Sequence, residues 1–396
     1  MRALDRVHDH LSKSMGFMHQ ARWRALWNAV EAVLRGRRLW LTALGRARRS
    51  STTPKHSIKA IDRLLGSHLL QAERRRVYAA LVTSLVRRPF QPIILVDEVE
   101  FQDTKGTAAL VASIAYNGRS LPIYALVGKR KRIENQRVLR RFLRELSEVL
   151  PQGCRPVLVT DAAYERPWFE ALESMGWDYV GRVRGATKFL VKGHWRRCSD
   201  LHARATHRAQ NLGHLPFPRV APRARRVVLS KQPTSQHRYP RTSKGARRHS
   251  TVDVKERAKA HEPWILVTTL TARPSHIVAL YALRMQIEET FRDHKSHRWG
   301  WSLRHTLSRS YKRLELLLLI GALAYTAQVL IGVAAEHRNL HYGYQANTVR
   351  TRRVLSVFLL GSYLLEHDDP SLTCSDVRRA FAHLRKQIAS HSSGAS

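Results

Sequence analysis

The spacing of apolar residues predicts a helical start to the chain. Apolar positions recur at helical intervals through residues 23–36 and again through 58–70, and the polar stretch 46–57 separates the two segments. Basic residues are frequent throughout this region. We therefore predict a small basic helical domain over residues 1–75.

From residue 93 the pattern changes to short strands that alternate with helices. The segments are the strands 93–100, 109–116 and 120–128, the helix 134–150, the strand 156–161, the helix 165–176 and the strand 178–185. The first three strands predict an antiparallel meander. The order β-β-β-α-β-α-β is that of the ribonuclease-H-like fold, so we predict an α/β protein with a mixed five-stranded sheet and flanking helices. Such a fold alone indicates no function.

A change in composition divides the second half of the chain. Residues 194–260 contain 17 Lys and Arg against three acidic residues, with weak periodicity, which indicates an inserted, basic, loop-rich module. Strand character returns at 262–270, and helical character follows from 275. The predicted segments after the N-terminal domain are the first part of the core at 76–190, a β-rich insertion at 191–272, the second part of the core at 273–335, and a helical C-terminal region with its tail at 336–396.

One apolar run has the length of a membrane span. Residues 316–335 contain no charged side chain over twenty positions. The run nevertheless includes Tyr325, Thr326 and Gln328, stands alone in the sequence and is flanked by charges. We therefore predict a buried helix and no membrane association.

The charge of the chain limits its partners. Lys and Arg number 69 against 30 Asp and Glu, which gives a formal net charge of +39. Such an excess favours a polyanion, with nucleic acid as the leading partner and an anionic membrane as the second. The three cysteines form no CxxC pair, which argues against a disulfide framework or a structural zinc site. The first 17 residues contain no apolar segment of signal-peptide length, so we do not expect secretion. These features predict a cytoplasmic protein.

Two acids end apolar strands. Asp97 follows the run 93–96, and Asp161 follows the run 157–160. Carboxylates at the ends of neighbouring strands can converge on one divalent ion such as Mg²⁺, which prefers oxygen ligands. Each acid taken alone is more often a turn or cap residue.

A third acid lies in a distinctive spacing of polar residues. Tyr281, Arg284, Glu288 and Lys295 occupy offsets 0, 3, 7 and 14, which in a continuous helix keep to one face. That face would present an acid between phosphate-seeking groups. The alternative is an amphipathic helix whose charged face is only solvated.

This spacing resembles the Tyr-Arg-Glu-Lys signature of bacterial insertion-sequence DDE transposases, in the group that includes the cut-and-paste transposases of the tetracycline- and kanamycin-resistance composite transposons. The resemblance, greatest to the tetracycline-transposon enzyme, also covers 55–66, 94–97, 177–185, 262–268, 285–293 and 345–355, and so spans nearly the whole chain. It implies that Asp97, Asp161 and Glu288 form the DDE triad. It further implies two Mg²⁺ ions, which Mn²⁺ can replace.

The resemblance also implies contacts with DNA. Tyr281, Arg284 and Lys295 would hold phosphates at the transposon end, and the long interval between Asp161 and Glu288 would contain an insertion domain that is largely strand. Trp264 would correspond to a tryptophan that stacks on a flipped base, worth about 1–3 kcal/mol. A core aromatic is the alternative for Trp264.

Several features carry less information. Arg182 and Arg184 follow a strand and are candidate DNA contacts, although arginines are common in this chain. Glu98 beside Asp97 and the sequence DAAY at 161–164 depart from the related enzymes, but neither change removes a predicted ligand.

The resemblance implies a sequence of reactions on double-stranded DNA. Water hydrolyses one strand at the transposon terminal repeat, the freed 3′-hydroxyl attacks the opposite strand to form a hairpin, a second water opens it, and the same hydroxyl attacks target DNA. Pairing of two ends implies a homodimer in the DNA complex. The alternatives are a catalytically silent DNA-binding relative, a nuclease of the same fold that joins nothing, and an RNA-binding basic protein.

Overall fold

A computed structural model describes residues 2–86, 91–101, 106–133, 135–231, 262–295, 306–346, 349, 351–369 and 371–392. The chain divides into two compact units. The first contains Met1–Arg155 together with Met285–Ser392, and the second contains Pro156–Arg284. The two units are coarser than the five segments predicted from the sequence, and the bounds of those segments stay predictions.

The first unit begins with five helices, α1 (Arg2–Ser12), α2 (Gln20–Gly36), α3 (Leu41–Ala47), α4 (Pro54–Leu65) and α5 (His68–Leu85). Local sequence sets their starts: Pro54 occupies the first turn of α4, and the Ser67 hydroxyl accepts the Leu70 N–H at the start of α5. The predicted helical character of the N-terminus is confirmed.

The predicted antiparallel meander follows as β1 (Ile93–Glu100), β2 (Thr107–Tyr116) and β3 (Arg119–Lys129). In this register Asp97 lies opposite Val111. β2 is buried along its whole length, which explains why its sequence is apolar apart from Thr107 and Ser113. The short α6 (Arg130–Ile133) and α7 (Gln136–Val149) come next.

The first unit resumes with α11 (Met285–Lys295), α12 (Tyr311–His337), α13 (His341–Tyr344), α14 (Val357–Glu366) and α15 (Cys374–Ser392). α12 contains the apolar run and contacts α1, α2, α4, α5, β3, α14 and α15. Among the described residues α12 is the one helix long and apolar enough to cross a membrane, and 94% of its most apolar window is buried inside the protein. The prediction of a buried helix is confirmed.

The second unit is built on a mixed set of strands, β4 (Val157–Thr160), β5 (Asp178–Val183), β6 (Lys188–Val191), β7 (His194–Arg197), β8 (Gln210–Phe217), β9 (Arg223–Ser230) and β10 (Trp264–Thr268). Its helices are α8 (Arg166–Ser174), α9 (Cys198–His202) and α10 (Pro274–Ala282). β4 and β5 run parallel, whereas β10, β9 and β8 continue from β5 in antiparallel pairs. β6 and β7 form a separate hairpin.

The pairing of β10 with β5 differs from the sequence prediction. The sequence predicts that the core sheet ends at β5 and that the insertion forms a domain of its own. In the structure the strands on both sides of residues 232–261 add to β5, whose backbone groups would otherwise form an open edge. The fold class is nevertheless the predicted mixed α/β type.

Candidate active site

Asp97 lies on β1, immediately after four buried apolar residues. Its side chain is half-buried, and its Oδ1 accepts the backbone N–H of Glu98 at 2.8 Å. Successive residues of a strand face opposite sides of the sheet, so Asp97 and Glu98 point to different faces. Asp97 is therefore held within β1, which continues to Glu100, whereas the sequence predicts a position near the end of the strand.

Glu288 lies in the first turn of α11 and is half-buried. A carboxylate near the N-terminus of a helix is stabilised by the helix dipole. α11 packs against β1, β2 and β3, so Asp97 and Glu288 belong to the same unit and to elements in contact.

Asp161 belongs to the second unit and follows β4 directly. It is half-buried, and its Oδ1 accepts the backbone N–H of Ala163 at 2.8 Å. This is the contact of a turn residue, the alternative considered for it from sequence. A carboxylate has two oxygens, each with more than one acceptor site, so this turn contact and a metal-ligand role are compatible.

The prediction of one continuous helix from Tyr281 to Lys295 is wrong. α10 ends at Ala282 and α11 begins at Met285. Between them the Arg284 N–H bonds to the Tyr281 carbonyl at 3.0 Å, three residues back instead of four, so the last turn narrows and the helical ladder stops. The division between the two units also falls at this point.

Tyr281 is buried instead of facing outward, with 3% of its surface exposed. Its ring packs edge-to-face against Trp264, with ring centroids 4.7 Å apart. Burial raises the pKa of the Tyr281 hydroxyl, although the Arg284 and Arg182 guanidinium groups act in the opposite direction. Trp264 itself is half-buried at the start of β10, and this contact is the core packing considered as its alternative role.

The remaining predicted DNA contacts have different environments. Arg182 on β5 pairs with Glu262 at 3.1 Å, and only 11% of its side chain is exposed, so it is held inside the second unit. Arg184 is exposed just after β5. It lines, with Arg166 and Arg182, a cavity of about 300 Å³. Arg284 is half-buried in the turn between α10 and α11, and Lys295 is the last residue of α11.

The sequence prediction missed a group of polar residues that hold α11. Thr290 and Asp293 on α11 bond to Ser120 and Arg119 at the start of β3. One signal was present in the sequence: Thr290 follows Ile287 by three residues and so lies on the apolar face of the helix. A polar residue there requires a buried partner.

The oxygen donors of Asp97 and Glu288 suit a divalent cation. Asp97 and Glu288 supply half-buried carboxylate oxygens, the donors that Mg²⁺ and Mn²⁺ prefer. Within neither unit do three His, Cys, Asp or Glu side chains of the described residues form a group that could hold a metal ion. The three predicted acids are divided between the units, so the predicted triad is not contained in either one.

Comparison with protein families identifies the class. The family model described as the transposase DDE domain matches residues 88–327, more than half of the chain, and this range includes Asp97, Asp161 and Glu288. The chain therefore belongs to the DDE transposases. A comparison with curated proteins finds no match.

Membership in the DDE transposase family defines the general activity of this protein. The protein is a transposase enzyme whose substrate is DNA, and DDE transposases generally use divalent metal ions. The five N-terminal helices and the C-terminal helices α13, α14 and α15 lie outside the matched range, which ends within α12 at residue 327.

Proposed function

We propose that this protein carries out cut-and-paste transposition of an insertion sequence, and that Asp97, Asp161 and Glu288 are its catalytic carboxylates. The observation that carries the proposal is the family match across all three acids, together with the packing of α11 on β1 within one unit. The Tyr-Arg-Glu-Lys spacing supports the group of the tetracycline-transposon enzyme.

The three carboxylates are proposed to hold two Mg²⁺ ions, for which Mn²⁺ substitutes. A pair of such ions lowers the pKa of water and stabilises the leaving oxygen of an in-line displacement. The half-buried carboxylates of Asp97 and Glu288 would be partly shielded from bulk water, which strengthens their attraction for a cation. Their backbone elements, a buried strand and a packed helix, restrict their movement.

Arg284, Lys295 and Tyr281 are proposed to act at the transposon-end phosphates. A half-buried guanidinium at Arg284 suits a phosphate because its donors match two phosphate oxygens at once. Tyr281 packs on Trp264, so it would contribute to DNA binding partly by orienting the indole of Trp264. Trp264 is proposed to stack on an extruded base, and Arg184 and Arg182 to lie near the DNA.

The proposed reaction sequence has four displacements at phosphorus. Water cleaves one strand at the terminal repeat, the new 3′-hydroxyl forms a hairpin on the other strand, a second water opens the hairpin, and the 3′-hydroxyl joins target DNA. The hairpin steps rest on the resemblance to the tetracycline-transposon group. A paired-end homodimer follows from the need to hold two ends, and a cytoplasmic, nucleoid-associated location follows from the substrate.

The basic surface of α4 supports duplex DNA as the partner. Lys55, Lys59 and Arg63 are exposed at four-residue intervals, so they form one stripe along the helix. Phosphates spaced along a duplex would release counterions on contact with such a stripe.

The test is metal-dependent cleavage of a duplex that carries the inverted repeats flanking the gene. We expect Asp97→Asn, Asp161→Asn and Glu288→Gln each to abolish nicking while leaving binding to the end nearly unchanged, because each removes a carboxylate that contacts the ions. Glu98→Gln is the matched control, since Glu98 is adjacent to Asp97 on the opposite face of β1. Loss of nicking in Glu98→Gln with retention in Asp97→Asn would overturn the assignment.

A second assay separates the alternative functions. A precut end with a free 3′-hydroxyl is incubated with supercoiled plasmid, and joined products are counted. Joining supports a transposase, whereas cleavage without joining indicates a nuclease. DNA binding without either reaction indicates a catalytically silent relative, and preferential RNA binding contradicts the proposal.

A further inference from the structure

The face of α11 opposite Glu288 is fixed by a set of polar contacts. At about 100° per residue, Thr290 and Asp293 lie roughly 200° and 140° around the helix from Glu288. Both therefore project from the far side of the helix. Their partners come from β3 and α12 in the same unit.

Thr290 is fully buried, and its hydroxyl joins α11 to Ser120 at the start of β3. The Thr290 oxygen accepts the backbone N–H of Ser120 at 3.0 Å and the Ser120 hydroxyl at 3.1 Å. Its own proton is within reach of the Ser120 carbonyl at 3.1 Å and of the Gln286 carbonyl at 3.0 Å. These contacts fix the distance between this turn of α11 and the strand.

Asp293 is held from two further directions. Its Oδ2 accepts the Arg119 Nε–H at 2.9 Å and the Tyr325 hydroxyl of α12 at 3.1 Å. Arg119 also approaches Glu289 at 3.8 Å. Because β3, α11 and α12 all contribute, a rotation of α11 about its own axis would break several of these bonds together.

A small rotation of α11 would move the Glu288 carboxylate by a distance that is large compared with the tolerance of metal–ligand bonds. A side-chain carboxylate lies roughly 6 Å from the helix axis, so a rotation of about 10° moves it about 1 Å. Ligand distances in metal sites are defined to about 0.2 Å. A rotation of α11 by this amount, were the contacts on the far side lost, would thus displace Glu288 by more than a coordination bond tolerates.

We propose that Arg119, Thr290 and Asp293 are positioning residues that set the rotation of α11 and thereby hold Glu288 in place for a divalent cation. The inference rests on the proposed role of Glu288 as a metal ligand. It assigns a function to contacts on the side of α11 that faces away from Glu288.

The experiment measures metal affinity directly as well as cleavage. Binding of Mn²⁺ to the full-length protein on a transposon-end duplex is followed by electron paramagnetic resonance, and the Mg²⁺ concentration for half-maximal nicking is measured in parallel. Groups that orient metal ligands typically change metal affinity or activity about 10- to 100-fold when removed. We expect a loss of Mn²⁺ affinity in that range for Arg119→Ala, Asp293→Asn and Thr290→Val, with end binding retained in the absence of metal.

Conservative variants and a matched control separate positioning from general destabilisation. Thr290→Ser keeps the hydroxyl and Arg119→Lys keeps the charge, so both are expected to recover most of the metal affinity. Arg22→Ala removes the Arg22–Glu73 pair on α2 and α5, whose side-chain exposures of 22% and 16% match the 21% and 15% of Arg119–Asp293. It is expected to lower the melting temperature while leaving the metal affinity unchanged.

Each outcome decides between the alternatives. Folded Thr290→Val and Arg119→Ala with wild-type Mn²⁺ affinity would overturn the inference, as would an equal loss in Arg22→Ala. Should Arg119→Ala fail to fold, the comparison of Thr290→Val with Thr290→Ser decides. Wild-type Mn²⁺ affinity in Glu288→Gln would instead refute the proposed function, and that variant is measured first so that the two failures are distinguishable.

Discussion

Asp376 caps the start of α15 with its carboxylate. It is buried, and its Oδ2 accepts the Thr373 backbone N–H at 2.9 Å and the Thr373 hydroxyl at 2.7 Å, while Arg338 lies 3.4 Å away. Burial alone would raise the pKa of Asp376, but these hydrogen bonds and the nearby arginines outweigh it and lower the pKa. The ionised form is therefore favoured in the folded state.

The sign of this shift predicts a pH dependence. A lowered folded-state pKa stabilises the protein above the unfolded-state pKa, and this stabilisation is lost as the pH falls through the folded-state value. We expect Asp376→Asn to reduce the free energy of unfolding by about 1–2 kcal/mol at pH 7. The difference from wild type should shrink below about pH 4. Urea denaturation at pH 7 and pH 3.5 measures both, and a constant difference would contradict the prediction.

At the scale of elements, two glycines allow α12 and α14 to cross closely. A Cβ at Gly332 would collide with the Val357 carbonyl, and one at Gly361 would collide with the Gln328 carbonyl. Both obstacles are backbone atoms, which cannot move aside as a flexible side chain can.

Substitution at this crossing should therefore be costly. We expect Gly332→Ala and Gly361→Ala each to lower the free energy of unfolding by about 1–3 kcal/mol through forced separation of the helices. Gly343→Ala on α13 is the control, because no atom of the described residues lies within 4 Å of the position that its Cβ would take. Thermal unfolding of the three variants measures the effect, and equal melting temperatures would show that the crossing relaxes without cost.

The sequence predicts those elements whose signal is local. β1, β2 and β3, the buried α12 and the position of Asp161 at the end of β4 follow from short apolar runs and their boundaries, whereas β1 continues past Asp97 to Glu100. The break between α10 and α11 could not be predicted from the sequence, because residues 281–288 contain neither Gly nor Pro and the spacing alone fits one helix. The pairing of β10 with β5 joins residues about 80 positions apart and depends on an edge that only the folded sheet defines.

The candidate site was predicted in a similar way. The positions of the acids came from motif spacing, whereas the burial of Tyr281 against Trp264 depends on a contact between distant segments. The contacts of Thr290 and Asp293 could not be predicted for the same reason, since Ser120 and Arg119 precede them by 170 and 174 residues.

At the scale of the whole molecule, the net charge of +39 makes affinity for DNA dependent on salt. We expect Lys59→Ala on the exposed stripe of α4 to weaken binding to a terminal-repeat duplex. It should also reduce the slope of log affinity against log salt by about one phosphate contact. Fluorescence anisotropy between 50 and 300 mM salt, about the range in which counterion release dominates, provides the measurement.

The control removes the same charge from another surface. Lys386 is exposed on α15, so Lys386→Ala changes the net charge equally. The slope of log affinity against log salt for Lys386→Ala is expected to match that of wild type. Equal changes in both variants would mean that only the total charge matters and that α4 makes no defined contact.

The position of α12 in the chain has a consequence for biosynthesis. The helices that cover it come partly from the first 85 residues and partly from α14 and α15, which leave the ribosome after it. During translation the apolar surface of α12 is thus only partly covered until α14 and α15 have been synthesised. A chain truncated after residue 340 would expose this apolar surface and would be prone to aggregation or to binding by chaperones. Correct folding of α12 therefore depends on synthesis of α14 and α15, which lie beyond the residues matched to the catalytic family.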